Sequence, residues 1–109
     1  MASRTKVLIV DSDIDSLSRI YLALVHRNFK TEASDKAEEI KDRMKRLKPG
    51  LIIMGKNEYQ NFNEPIKIPC IVLIGPNENM PGTDSEEIVF LKKPIHVESL
   101  LRTVESLIY

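Results

Sequence analysis

Lys6-Val7-Leu8-Ile9-Val10-Asp11-Ser12-Asp13 contains four consecutive apolar residues followed by an acid, a hydroxyl and a second acid. A short, β-branched apolar run with polar residues on both sides fits a strand covered on both faces, as in a parallel sheet; a strand with one wet face would alternate. The oxygens of Asp11, Ser12 and Asp13 suit a strand end that runs into a helix N-terminus, where the first backbone N–H groups lack partners. Asp13 is the better placed of the acids to cap that helix. Leu17, Ile20, Tyr21, Leu24 and Val25 then recur at i, i+3, i+4, i+7 and i+8, one apolar stripe on a helix that should fade over residues 26–28.

Outward from this unit the pattern repeats. Residues 29–33 read as a weaker strand. Asp35 with Glu38 reads as a capping box for a second helix, whose stripe is Ala37, Ile40, Met44 and Leu47. Lys41, Arg43, Lys45, Arg46 and Lys48 load its later turns with positive charge, which suits the negative end of the helix dipole and a solvated face. Pro49-Gly50 breaks the chain, and Leu51-Ile52-Ile53-Met54 is a second continuous apolar strand. Residues 68–74 and Ile88-Val89-Phe90-Leu91 are two more. Val97, Leu100, Leu101, Val104, Leu107 and Ile108 form the stripe of a last helix.

Two crossovers are thin. Residues 55–67 are polar and show no helical stripe. The 13 residues between Gly55 and Pro69 can cross a strand length of about 17–20 Å but would cramp a loop plus a three-turn helix. The expectation is an irregular crossover or a single helical turn. Pro76, Pro81 and Gly82 likewise disfavour a long helix before residue 88, with a short turn near residues 83–87 as the alternative. Strands alternating with helical segments give the α/β class, a parallel sheet with helices on both faces, in one domain over residues 1–109. Function in such sheets sits at the carboxyl ends of the strands.

Bulk properties remove several function classes. Lys plus Arg and Asp plus Glu are 16 each, so no net charge favours nucleic acid or a membrane surface as partner. No apolar stretch approaches the roughly 20 residues that cross a bilayer, and residues 1–6 are polar with no signal-peptide core behind them. The cytoplasm is the default location. Cys70, the single cysteine, cannot form an internal disulfide and reads as a small buried hydrophobe. His26 and His96 read as surface or cap residues. The acidic turn after the first strand is the opposite of a Gly-rich phosphate loop, which counts against nucleotide binding.

The run from Val7 to Asp13, Pro49-Gly50-Leu51-Ile52-Ile53-Met54, Ile68-Pro69-Cys70-Ile71-Val72-Leu73 and Phe90-Leu91-Lys92-Lys93-Pro94 together resemble, in order and spacing, the response-regulator receiver (CheY-like) family. The resemblance covers nearly the whole chain. It implies a flavodoxin-like, doubly wound five-stranded parallel sheet of order 2-1-3-4-5, here with the third and fourth helices shortened or missing. It also implies a cis Lys93–Pro94 bond and a place for the domain as the N-terminal part of a longer protein.

Receivers transfer a phosphoryl group to an aspartate with the help of Mg²⁺, a pair of acids, a hydroxyl and a lysine. Matched to that pattern, the acceptor is Gly55, which has no side chain to phosphorylate. Ser12 replaces one acid of the pair, and Ile74 replaces the hydroxyl. Asp11 and Lys93 keep their types and should form an ion pair, with Asp13 a further acid nearby. Phe90 holds the position of the family's switch aromatic, which also reads as a plain core residue. Glu58 and Lys56 follow Gly55 in a stretch read as loop.

The resemblance therefore implies a pseudo-receiver: not an enzyme, without cofactor, acting through protein partners or a homodimer. Asp11 and Asp13 are weak candidates for a residual Mg²⁺ or Ca²⁺ site, since Ca²⁺ takes about 6–8 ligands. The alternatives are a receiver with a displaced phosphoacceptor and a weak metal- or ligand-binding flavodoxin-like domain. The thinned helical layer is expected to leave an apolar patch exposed.

Overall fold

The computed structural model describes residues 5–62, 64–78 and 88–108. Five strands, β1 (Lys6–Val10), β2 (Lys30–Ser34), β3 (Leu51–Gly55), β4 (Cys70–Ile74) and β5 (Ile88–Lys92), form one parallel sheet in the order β2-β1-β3-β4-β5. Every pairing is parallel; Val7 to Val10 sit opposite Leu51 to Met54. The α/β class read from the sequence and the 2-1-3-4-5 order implied by the resemblance are therefore present. Four α-helices accompany the strands among the described residues: α1 (Ile14–His26), α2 (Ile40–Leu47), α3 (Lys56–Asn61) and α4 (Val97–Ile108), with a 3-10 turn over Ala37–Glu39 ahead of α2.

The apolar runs are continuous because successive side chains of a strand point to opposite faces and both faces are covered. Val7, Ile9, Leu51, Ile53, Ile71 and Leu73 pack against Leu17, Ile20 and Leu24 of α1 and Leu100, Leu101 and Val104 of α4. Leu8, Val10, Ile52, Met54, Cys70, Val72 and Ile74 form the other cluster, with Ile40 and Leu47 of α2 and partly buried Tyr59, Phe62 and Phe90. Cys70 is fully buried, and burial pushes its thiol up to about 12.

Three expectations are corrected. Tyr21 and Val25 lie on the edge of the α1 stripe and are 37% and 39% exposed, so the buried stripe is narrower than the spacing suggested. The second helix is not opened by Asp35 and Glu38. Ser34 Oγ instead accepts from Lys36 N at 3.1 Å and donates to Glu39 Oε1 at 2.7 Å, and neither the 3-10 turn nor α2 carries a side-chain cap. The third helix, expected to be shortened or missing, is present in shortened form over Lys56–Asn61. Six residues are too few to show a stripe, and α3 is held by contacts outside itself, such as the edge-to-face packing of Tyr59 on Phe90 (6.3 Å, 85°). Finally, the large exposed apolar side chains among the described residues are Ile14, Tyr21, Leu22 and Val25, all on α1 rather than beside the short crossovers.

The third helix is thus present and short. The expected fourth-helix region falls largely on residues outside the described set, and so does the turn near residues 83–87. The Lys93–Pro94 bond is cis, as the resemblance implied. No helix among the described residues is long and apolar enough to cross a membrane.

Candidate functional site

The carboxyl ends of β1, β3, β4 and β5 converge on one shallow cavity of about 200 Å³. At the end of β1, Asp11 N donates to Ser34 O of the neighbouring strand at 3.1 Å, which fixes the backbone as it leaves the sheet. The Asp11 carboxylate is buried, and its Oδ1 accepts from Asp13 N at 3.0 Å, turning the chain into α1. Asp13 then caps α1, with Oδ1 accepting from Ser16 N at 3.4 Å and Oδ2 from Ser16 Oγ at 3.0 Å. Ser12 is exposed at the cavity rim.

Lys93 follows β5 directly, and its N–H donates to Ile74 O at 2.8 Å. This bond aims the side chain across the strand ends. Its Nζ lies 3.0 Å from Asp11 Oδ2 and 3.1 Å from Asp13 Oδ2. The expected Asp11–Lys93 ion pair is present, extended by Asp13. Asp11 Oδ2 has the ammonium at ion-pair distance, outside good hydrogen-bond alignment. Hydrogen bonding to Lys93, then to Ser16, holds the Asp13 carboxyl below its ordinary value. Burial pulls the Lys93 ammonium down, but the two carboxylates outweigh it and the group sits above its ordinary value.

Gly55, last residue of β3, has φ −66° and ψ 160°, a conformation open to any residue. Its lack of a side chain is a matter of space. A Cβ there would overlap Glu58 Oε1 and lie 2.8 Å from Asp11 Oδ1 and 3.1 Å from Asp11 Cγ. Glu58 is not on a loop, as its polar surroundings suggested. Because α3 begins immediately after Gly55, its first turn folds Glu58 back over the strand end, where the residue is only 6% exposed.

The end of β4 repeats the arrangement. Glu78 Oε1 accepts from Gly75 N at 2.7 Å, and a Cβ on Gly75 would come within 2.7 Å of that same oxygen. Glu78 Oε2 takes the Lys56 ammonium, and that hydrogen bond first of all holds the Glu78 carboxyl below its ordinary value. Gly55-Lys56-Asn57-Glu58 and Gly75-Pro76-Asn77-Glu78 share the pattern Gly-X-Asn-Glu at the ends of adjacent strands. That repeat was the signal available in the sequence for Glu58 and Glu78, neither of which stood out by type alone.

The structure thus brings Asp11, Ser12, Asp13, Gly55 and Lys93 together around the cavity, with Lys56, Glu58 and Glu78 added. It does not bring Ile74 there. That side chain is fully buried beside Ile52, Met54 and Val72, and the cavity wall on β4 comes from Leu73 and Gly75. Phe90 also lies off the cavity, against Tyr59. The residues do not fit a bound divalent cation. Lys93 already stands between the two acids that would ligate it, and among the described residues no three His, Cys, Asp or Glu side chains are grouped to hold a metal ion.

No protein-family model matches the sequence, and no curated protein does. Solved structures do. The N-terminal domain of the nisin resistance regulator NsrR, a lantibiotic response regulator, superposes with a TM-score of 0.75 at 19% identity, over 98% of this chain and 100% of that one. The fold is that of the receivers. The chemotaxis protein CheY4 of Vibrio cholerae gives 0.73 at 19% identity over 97% of this chain and 100% of that one. A CheY-like receiver domain from Methylobacillus flagellatus gives 0.74 at 14%, over 96% and 99%. Within the receiver fold, the cavity described above occupies the carboxyl end of the sheet, where open α/β sheets bind their ligands.

Proposed function

We propose that this receiver-fold chain is a pseudo-receiver of two-component signalling, a protein-interaction module that works without being phosphorylated. In this reading it is not an enzyme, needs no cofactor, acts in the cytoplasm, and binds a protein partner or a second copy of itself rather than nucleic acid or membrane. The observation that carries it is at Gly55. The place of an acceptor side chain is filled by Glu58, while Asp11 and Asp13 are already engaged by Lys93. Phosphoryl transfer relies on positive charge free to meet the moving group, and both ammonium groups of this cavity, Lys93 and Lys56, are already paired with its acids. The apolar side chains exposed on α1 support an interaction role.

The test is to incubate the protein with acetyl phosphate and Mg²⁺, then with beryllium fluoride, and follow it by intact mass and amide NMR. The expected result is no mass gain of a phosphoryl group and unmoved amides at Asp11, Asp13, Gly55 and Lys93. A saturable, concerted shift of those amides with beryllium fluoride would overturn the reading in favour of a displaced acceptor. Sedimentation at high concentration separates its two forms: a monomer throughout removes self-association and leaves a different protein as partner.

A further inference from the structure

The charges of the cavity do not balance locally. Asp11 and Asp13 share Lys93, and Glu78 takes Lys56 and the Gly75 N–H. Glu58 has nothing equivalent. It is 94% buried by its 6% exposure, lines the cavity, and among the described residues no hydrogen bond or ion pair reaches its carboxylate. Worse for its energy, it faces a like charge: one Cβ placed on Gly55 would touch both Glu58 Oε1 and Asp11 Oδ1. The Glu58 oxygens reach solvent only through the cavity, no protein donor among the described residues meets them, and the carboxylate beside them adds a like charge.

We infer that this unmatched charge is the receptor for a cationic side chain, an arginine, presented by a protein partner. The inference rests on the reading of the chain as a protein-interaction module. At about 200 Å³ the cavity falls short of the roughly 300–1,000 Å³ typical of small-molecule sites but admits one head group from its open side. Glu58 offers its unpaired carboxylate oxygens on the cavity wall, and a guanidinium is the planar, multi-donor cation that pairs with a carboxylate through two N–H groups. A lysine ammonium is a point charge and would duplicate what Lys93 already does. Among the described residues the metal alternative lacks a grouped set of ligands.

The probe is the peptide acetyl-Gly-Arg-Gly-amide, titrated into the whole chain and followed by amide NMR at Gly55, Glu58 and Gly75. Its lysine and citrulline analogues and MgCl₂ are titrated in parallel, the whole series being repeated on Glu58→Gln. Saturable shifts with the arginine peptide, absent with the uncharged citrulline analogue and weakened about tenfold in Glu58→Gln, support the inference. It is overturned by no response to arginine, by equal binding of citrulline, by unchanged affinity in Glu58→Gln, or by Mg²⁺ moving the same amides at lower concentration. A null arginine result with a null beryllium fluoride result removes the inference and leaves the pseudo-receiver reading standing. A beryllium fluoride response or a phosphoryl mass gain removes the latter.

Discussion

Replacing Gly55 by alanine probes the site with a single methyl group. The backbone there accepts any residue, so the substitution should gain about 0.4–1 kcal/mol from a less flexible unfolded chain. Against that stands the overlap of the new Cβ with Glu58 Oε1 and its 2.8 Å approach to Asp11 Oδ1. Overfilling a packed interior costs about 1–3 kcal/mol. Asp11 cannot retreat, being tied to Asp13 N and Lys93, so Glu58 must give way. The net expectation is a loss of about 1–2 kcal/mol, or roughly 5–15 °C in Tm for a domain of this size.

Truncating Glu58 to alanine first should remove most of that cost, leaving a coupling of about 1 kcal/mol between the two positions. Urea unfolding of the parent, both single variants and the double variant, followed by far-UV circular dichroism, measures it. The reasoning fails if Gly55→Ala is as stable as the parent, or if it costs the same with and without Glu58.

Four further outcomes follow from the same geometry. Lys93→Met strands the buried Asp11 charge and should cost about 2–4 kcal/mol in urea unfolding; a change below about 0.5 kcal/mol would show that the ion pair is idle. Glu58→Gln removes a buried like charge at constant shape and should gain roughly 0.5–2 kcal/mol, so a destabilised variant would contradict an unmatched Glu58. The depressed Asp13 contributes stability that is present above its ordinary 3.8 and lost as pH falls through the folded value, while the raised Lys93 contributes stability present below 10.5 and lost as pH rises through its folded value. Urea midpoints across pH should show both limbs, and Lys93→Met should flatten the alkaline one. Cys70, buried and pushed up to about 12, should not react with a thiol reagent near neutral pH until urea unfolds the chain; a fast native reaction would contradict its burial.

The sheet was legible because its signal is redundant. Each central strand is a run of apolar residues, and one residue of error in its ends changes nothing about which strands exist. The Asp11–Asp13–Lys93 cluster was legible because strand ends converge in this topology whatever lies between them. The helix α3 was legible only as a shortened crossover: with Tyr59 its one apolar side chain it carries no periodicity, and the contacts that hold it come from Phe90 and the strand ends, far along the chain. Glu58 was lost with it, since only a helix starting at Lys56 turns that side chain back onto Gly55. Ile74 shows the opposite error. Matching by order placed it at the cavity, but its side chain lies in the core with Ile52, Met54 and Val72, and the cavity wall on β4 comes from Leu73 and Gly75.

The shortness of α3 has a dynamic consequence. Isolated helices below about 12–15 residues are marginal in water, so a six-residue helix persists only while docked on the sheet. Its partners across the sheet, α1 and α4, have 13 and 12 residues and a deeper apolar seat. Local opening should therefore begin at α3, at a free energy well below that of global unfolding. Each such excursion withdraws Glu58 from beside Asp11 and parts Tyr59 from Phe90 in one movement. The amides of α3 would exchange with solvent long before those of β1 and β3, and the strand end at Gly55 would be uncovered for brief intervals in an otherwise intact molecule.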